Sequence, residues 1–443
     1  MSVLAVVVGV KPLGSIAATA LLMYLCLQAW RLPRMGQIVL AGALVSSAVC
    51  AAYIPNPWTV FESALELGCF FVSVLLSGGF LREAADRSAM VHAAGNALIA
   101  QAPARRNAAL SFGAFAMGFI LSFGTLQLLG SMVERANTLA SANGDVSVQA
   151  TRLRRSMLAV LRGFCMSTVC NPISIVMALA LTYSPGAQWR TVMFIVVPSA
   201  LVLLVFGGIL DWWSGPRTSQ TTSVQAPSLR PVARLVMLVI GVISAVLLVS
   251  SLFEIAVIHA VVVTVPVIAV AWIAIQHRGR LGAIVARLEW QAVTRFPAQR
   301  VEVTILASAG VAGAFLAAAL PVDAIAAMVR TWSLPAIVLP LLVFWFMYLG
   351  AQLAMNPILT AAIAGAILPA PLMLGTPPEA VAVAYMAAWG VGTCASPFTL
   401  SVLIIAGIAK QDSRVIAWRW NRVFALGAAC LVSVLLCALA VFG

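Results

Sequence analysis

The sequence predicts an all-α polytopic membrane protein, with about ten crossing helices and two re-entrant hairpins in two inverted-topology repeats. Three observations carry this. Of 443 residues, 63% are hydrophobic and 9% charged, with a mean hydropathy of +1.06; a soluble chain needs about a quarter charged residues to cover its surface. Apolar runs recur from end to end without strand-like alternation, which excludes an outer-membrane barrel and leaves no soluble domain. Basic residues gather in alternate connections between these runs, as in loops kept on the cytoplasmic side.

In chain order, runs of spanning length cover 13–30, 36–54, 57–80, 155–184, 190–211, 234–252, 255–276, 301–320, 378–409 and 423–442. Trp30, Trp58, Trp189, Trp212, Trp213 and Trp332 stand near run ends, where an interfacial belt places them. The opening MSVLAVVVGVKPLG lacks a basic stretch before its apolar part and reads as mature sequence.

The run 107–133 has Arg105 and Arg106 before it and Arg135, Arg152, Arg154 and Arg155 after it. A single crossing would leave one of these groups outside and flip every later loop. A hairpin entering and leaving on one side instead puts 22 of the 26 basic residues inside; only Lys11, Arg190 and Arg330 fall outside, and Arg162 falls within a span. Residues 336–372 are too long for one span and short for two, and read as a second hairpin entering from outside.

Each half then crosses five times, the first repeat over 1–211 and the second, upside down, over 234–443, with both termini outside a bacterial-type cytoplasmic membrane. The polar stretch 212–233 is the cytoplasmic linker. Residues 82–106 and 277–300, with spaced arginines, are expected to lie along the inner surface.

Other classes are excluded. The net charge of +13 is spread over short loops and does not mark a nucleic-acid surface. Seven of the eight cysteines lie in apolar runs and none forms a Cys-x-x-Cys pair, so neither a disulfide framework nor a zinc site is supported. With no nucleotide-binding loop, HExxH or nucleophile elbow, the chain is not expected to be an enzyme or an ATP-driven pump.

Three apolar runs contain a small polar residue followed by proline: Asn171-Pro172, Asn356-Pro357 and Ser396-Pro397. Asn and Ser are preferred N-caps and proline suits a first turn, so each pair reads as a helix starting inside the membrane. Free amides at such a start attract an anion, while nearby carbonyls and side-chain oxygens can hold a cation. Asn171 and Ser396 fall in broken helices at 155–184 and 378–409, and Asn356 at the tip of the second hairpin. The first hairpin has no proline; its tip is expected at Ser122-Phe123-Gly124-Thr125-Leu126-Gln127. Among charges within the runs, Arg162 reads equally as an anion site or as a side chain snorkelling to the inner surface. Glu66 is a better proton-carrier candidate than Glu62, and His259 reads as a packing residue.

This arrangement resembles the ion transporter superfamily, most closely its divalent anion and sodium symporters. TPPEAVAVAYMAAWGVGTCASPFTLSVLIIAGIA is similar to that family's second broken helix and GFCMSTVCNPISIV to its first. The resemblance implies an elevator moving against a dimeric scaffold. It implies sites at Ser167, Thr168, Asn171, Thr393, Ser396 and Thr399, with Asn356 and Thr360 at the second hairpin and Ser122 and Thr125 at the first. Neither tip carries the family's Ser-Asn-Thr.

The expected function is secondary transport of a small anion, a carboxylate by the resemblance, driven by a sodium or proton gradient. The alternative is an ion exchanger or exporter on the same fold, such as a sodium/proton antiporter or a metalloid oxyanion exporter. Bound sodium is the one ion expected beside the substrate, and the expected partners are the bilayer and a second copy of the chain.

Overall fold

A computed structural model describes residues 11–214, 228–319, 335–368 and 371–442. Arg330, Trp332 and most of the linker lie outside them. Among the described residues every regular element is helical: α1 (Lys11–Gln28), α2 (Arg34–Ala51), α3 (Pro57–Asp86), α4 (Ala89–Ile99), α5 (Pro103–Leu121), α6 (Gly124–Ala136), α7 (Val146–Cys170), α8 (Ile175–Thr182), α9 (Trp189–Ser214), α10 (Arg230–Leu252), α11 (Val257–Gln276), α12 (Leu281–Trp290), α13 (Arg300–Ala319), α14 (Val338–Gln352), α15 (Pro357–Ile367), α16 (Pro378–Ala395), α17 (Leu400–Ala409) and α18 (Arg422–Phe442). Among the described residues seven stretches are long and apolar enough to cross a membrane, namely α3, α9, α10, α11, α13, α16 with α17, and α18; α7 with α8, bent by 42°, makes an eighth if read as one span. The shorter α1 and α2 are also apolar. The protein is an all-α polytopic membrane protein.

Local chemistry sets the ends of these helices. Proline opens α3, α5, α10, α15 and α16 within the first turn, where its missing N–H costs nothing. Asp145 caps α7 by accepting from the amides of Ser147 and Val148, and Ser174 caps α8 by accepting from Met177 N. Two reversals turn on non-glycine residues with positive φ: Ser122 (φ 50) between α5 and α6, and Ala354 (φ 63) between α14 and α15.

The helices pack as a frame and a second unit. In the frame, α13 lies against α3 and α2, and α11 against α3. The α3–α13 contact closes at Gly68 and Gly310, where a Cβ on Gly310 would stand 3.2 Å from the Gly68 nitrogen. In the second unit each hairpin's first arm packs along the first half of a broken helix, α5 on α7 and α14 on α16, and α16 crosses α7. That crossing needs Gly390, whose added Cβ would meet the Val169 side chain at 2.1 Å and the Cys165 carbonyl at 3.0 Å.

Residues 82–106 are packed against other helices: α3 continues to Asp86, and α4 buries Val91, Ala94, Gly95, Ala97 and Leu98 against α5, α6 and α10. The reason is in its composition. AMVHAAGNALI contains no arginine, and its small residues admit close neighbours, Met132 against Gly95 and, across the contact, Leu98 against Gly113. In 277–300, α12 buries only Ile284 and exposes Leu281 and Val285. It is pinned to α3 by the Arg287–Glu83 ion pair, and Arg287 also lies over the Trp290 ring.

Candidate functional site

The first break spans Asn171 to Ser174. Pro172 cannot continue the α7 hydrogen-bond ladder, and the Asn171 side chain takes over two roles there. Its Nδ2 donates to the Phe119 carbonyl on α5 (3.4 Å), and its Oδ1 accepts from Ile173 N (3.0 Å). Ser174 Oγ donates to the Asn171 carbonyl (2.8 Å). One turn earlier, Ser167 Oγ donates to Phe164 O (2.6 Å) and Thr168 Oγ1 to Cys165 O (2.7 Å). Ser167 is fully buried against Gly118 of the first hairpin.

The second break, Ser396 to Thr399, repeats the pattern. Ser396 Oγ donates to the Ala351 carbonyl on α14 (2.6 Å) and accepts from Phe398 N (3.2 Å). The Thr393 carbonyl, orphaned by the end of α16, accepts from Thr399 Oγ1 (2.8 Å) and Ser401 Oγ (2.6 Å), while Thr393 Oγ1 donates to Gly390 O (3.1 Å). At the second hairpin Asn356 Oδ1 caps α15 by accepting from Ile358 N (2.8 Å), and Thr360 Oγ1 donates to Pro357 O (3.1 Å). In each break, then, the residue that ends the helix bonds a carbonyl near the end of its own hairpin's first arm. These hydroxyls spend their hydrogens on carbonyls and keep oxygen lone pairs, which suits them to a cation or a donor. Thr125 differs: it is fully buried and its Oγ1 has no partner among the described residues, whereas Ser122 at the turn is exposed.

Arg162 is 7% exposed. Its Nε donates to Asn421 Oδ1 (2.9 Å), its Nη1 to the Gly207 carbonyl (3.2 Å), and its guanidinium stands 4.6 Å from the Phe424 ring centroid. Asn421 Nδ2 in turn donates to the Cys394 carbonyl (2.9 Å), two residues before the second break. Arg162 thus ties α7 to α9 and α18 and, through Asn421, to the end of α16. Sequence reasoning missed Asn421, because WRWNRV reads as a polar loop, and so missed its Nδ2 donating also to Cys394 Sγ (3.3 Å) at the end of α16.

Glu62 and Glu66 are exposed on α3. His259 is half-buried, its ring 5.1 Å from that of Phe70. It lines a cavity of about 1520 Å³ with Phe70, Gln188, Arg190, Ser251 and Glu254. A narrow crevice shares Trp189, Leu247 and Val257 with that cavity and reaches Pro172 and Ile173 at the first break.

No family model and no curated protein matches the chain. Its fold is that of two solved transporters. The YdaH transporter of Alcanivorax borkumensis superposes with a TM-score of 0.63 at 14% identity, over 91% of this chain and 98% of that one. MtrF of Neisseria gonorrhoeae, described with a class of antimetabolite efflux pumps, superposes with a TM-score of 0.55 at 13% identity, over 93% and 96%.

Proposed function

We propose that the protein is a secondary active transporter of a small anion, in which the hairpins and broken helices move as one unit against a dimeric frame. The observation that carries this reading is the repeated pair of hydrogen bonds, Asn171 to Phe119 O and Ser396 to Ala351 O, which couples each helix break to its own hairpin. A break of this kind turns helix ends into ion-binding groups at a place without charged side chains. The fold shared with two transporters supports the same reading.

The resemblance to divalent anion and sodium symporters favours a carboxylate substrate and sodium as the coupling ion. Ser167, Thr168, Asn171, Thr393, Ser396 and Thr399 supply the oxygens, with Asn356 and Thr360 from the second hairpin and Ser122 and Thr125 from the first. Arg162 is engaged by Asn421 and Gly207, which favours a bracing role over anion binding. By the resemblance, α3 with Glu66 belongs to the static scaffold, which favours sodium over a proton carried there. The cytoplasmic side is the arginine-rich one, in a bacterial-type inner membrane. Export is the second reading, favoured by the likeness to an efflux pump.

Proteoliposomes given a sodium gradient alone, then a pH gradient alone, test the reading across a panel of organic acids. Sodium-driven carboxylate movement is expected. Movement driven by the pH gradient and abolished by Glu66→Gln would reassign the coupling ion, and no movement of any anion in either direction would overturn transport.

A further inference from the structure

Asp86, which sequence reasoning passed over, ends α3 at the tip of the first hairpin. A Cβ on Gly124, the first residue of α6, would stand 3.1 Å from Asp86 Oδ1, so glycine is what lets the carboxylate approach. The α6 helix has no acidic residue in its first turn, and its N-cap, Phe123, makes no side-chain cap bond. Asp86 brings in from another helix the negative charge that a helix start favours.

The carboxylate is mounted on the frame. In the last turns of α3, Glu83 pairs with Arg287, and the Ala84 carbonyl accepts from Gln276 Nε2 of α11 (2.7 Å). This is the arginine-rich end of the frame, with Arg82, Arg87, Arg278, Arg280 and Arg287 nearby in the chain.

The hairpin tip, by contrast, belongs to the middle of the second unit, since Phe119 just before it bonds Asn171 at the first break. The middle of that unit therefore lies level with the arginine-rich end of α3. A second registration agrees: Ala178 and Leu179 of α8, the half-helix beyond the break, pack with Phe71 and Val72 halfway along α3. The cavity of about 1520 Å³ lies beside Leu181 and Thr182, at the far end of α8 from the break.

We infer that the unit stands displaced toward the arginine-rich side and that Asp86 is the frame's latch for this position, gripping the tip of the first hairpin. The inference rests on the proposed transport cycle. Asp86 is a positioning residue, acting through the hairpin on which of the two positions the unit occupies.

The test reads position directly and needs no substrate. Gln127, exposed three residues into α6, is replaced by cysteine in a chain whose Cys26, Cys50, Cys430 and Cys437 are serine. An impermeant maleimide is then added to either face of sealed vesicles. With Asp86 present, Gln127→Cys should react from the arginine-rich face. Asp86→Asn should slow that reaction about two- to fivefold, the size of effect a charge at a helix start produces, and Asp86→Glu should largely restore it. Gly124→Ala, which crowds the carboxylate without altering charge, should act like Asp86→Asn and covers the case in which that variant misfolds. Unchanged labelling in both variants would overturn the latch and leave the transport reading to its uptake assay. An intact latch effect without any uptake would sink transport alone.

Discussion

Ser396 and Asn171 use the same two hydrogen bonds in different surroundings, and the difference decides what each substitution costs. Ser396 is fully buried and its bond to the Ala351 carbonyl is short, at 2.6 Å. Removing the hydroxyl strands a buried acceptor, a loss of about 1–3 kcal/mol. Asn171 is partly exposed and its bond to Phe119 O is 3.4 Å, so its lost bond is weaker and better replaced by solvent. Ser396→Ala should therefore lower the melting temperature in detergent clearly more than Asn171→Ala does. An equal or larger drop for Asn171→Ala would show that the first break depends on its side chain for folding.

The elements meet through glycine, and the neighbours of each glycine set the sign of a substitution. Gly163 on α7 faces α5, where an added Cβ would stand 2.2 Å from the Ser111 carbonyl. Backbone cannot yield as a flexible side chain would, so Gly163→Ala should cost at least about 1–3 kcal/mol, the range for overpacking. Gly241, inside α10, has nothing within 4 Å of its Cβ position, and Gly241→Ala should be neutral or stabilising by up to about 1 kcal/mol from helix propensity. Paired melts of the two variants check this contrast, and a penalty at Gly241 equal to that at Gly163 would remove packing as the explanation. The helix breaks were legible in the sequence because proline acts on its own neighbours whatever the fold, but the caps fall elsewhere: Asn171 and Ser396 end α7 and α16, the next half-helices start after Ser174 and Thr399, and only Asn356 is the N-cap the sequence suggested. The arginines on both flanks of 107–133 called for a reversal within it, and the chain does turn at Ser122 between α5 and α6. What could not be read were contacts across long separations: Arg162 with Asn421, Asn421 with Cys394, Asp86 with Gly124. Each rests on helices meeting at a depth that composition does not specify. The burial of α4 was missed for a related reason, since flanking arginines signalled a surface segment while the small residues between them allowed packing.

The proposed transport cycle needs a frame that stays still, and the two groups of helices show different means of cohesion. Small residues and backbone-directed hydroxyls bind the hairpins to the broken helices. The frame's arginine-rich end is closed by charge: Glu83 is 4% exposed and pairs with Arg287 across α3 and α12. An ion pair this buried repays its desolvation poorly, so its value lies in fixing where α12 and the last turn of α3 sit; removing one partner still leaves an uncompensated charge and costs about 3–5 kcal/mol. Glu83→Gln should therefore destabilise the whole protein strongly. Replacing both partners, with Glu83→Gln and Arg287→Met, should recover part of the loss, because no charge is then left alone. Recovery of stability should not bring recovery of position: with α12 unpinned, the end of α3 that carries Asp86 loses its mounting, and labelling at Gln127→Cys should shift as it does for Asp86→Asn. A double variant that regains stability with parental labelling would show that the frame fixes Asp86 without this clamp.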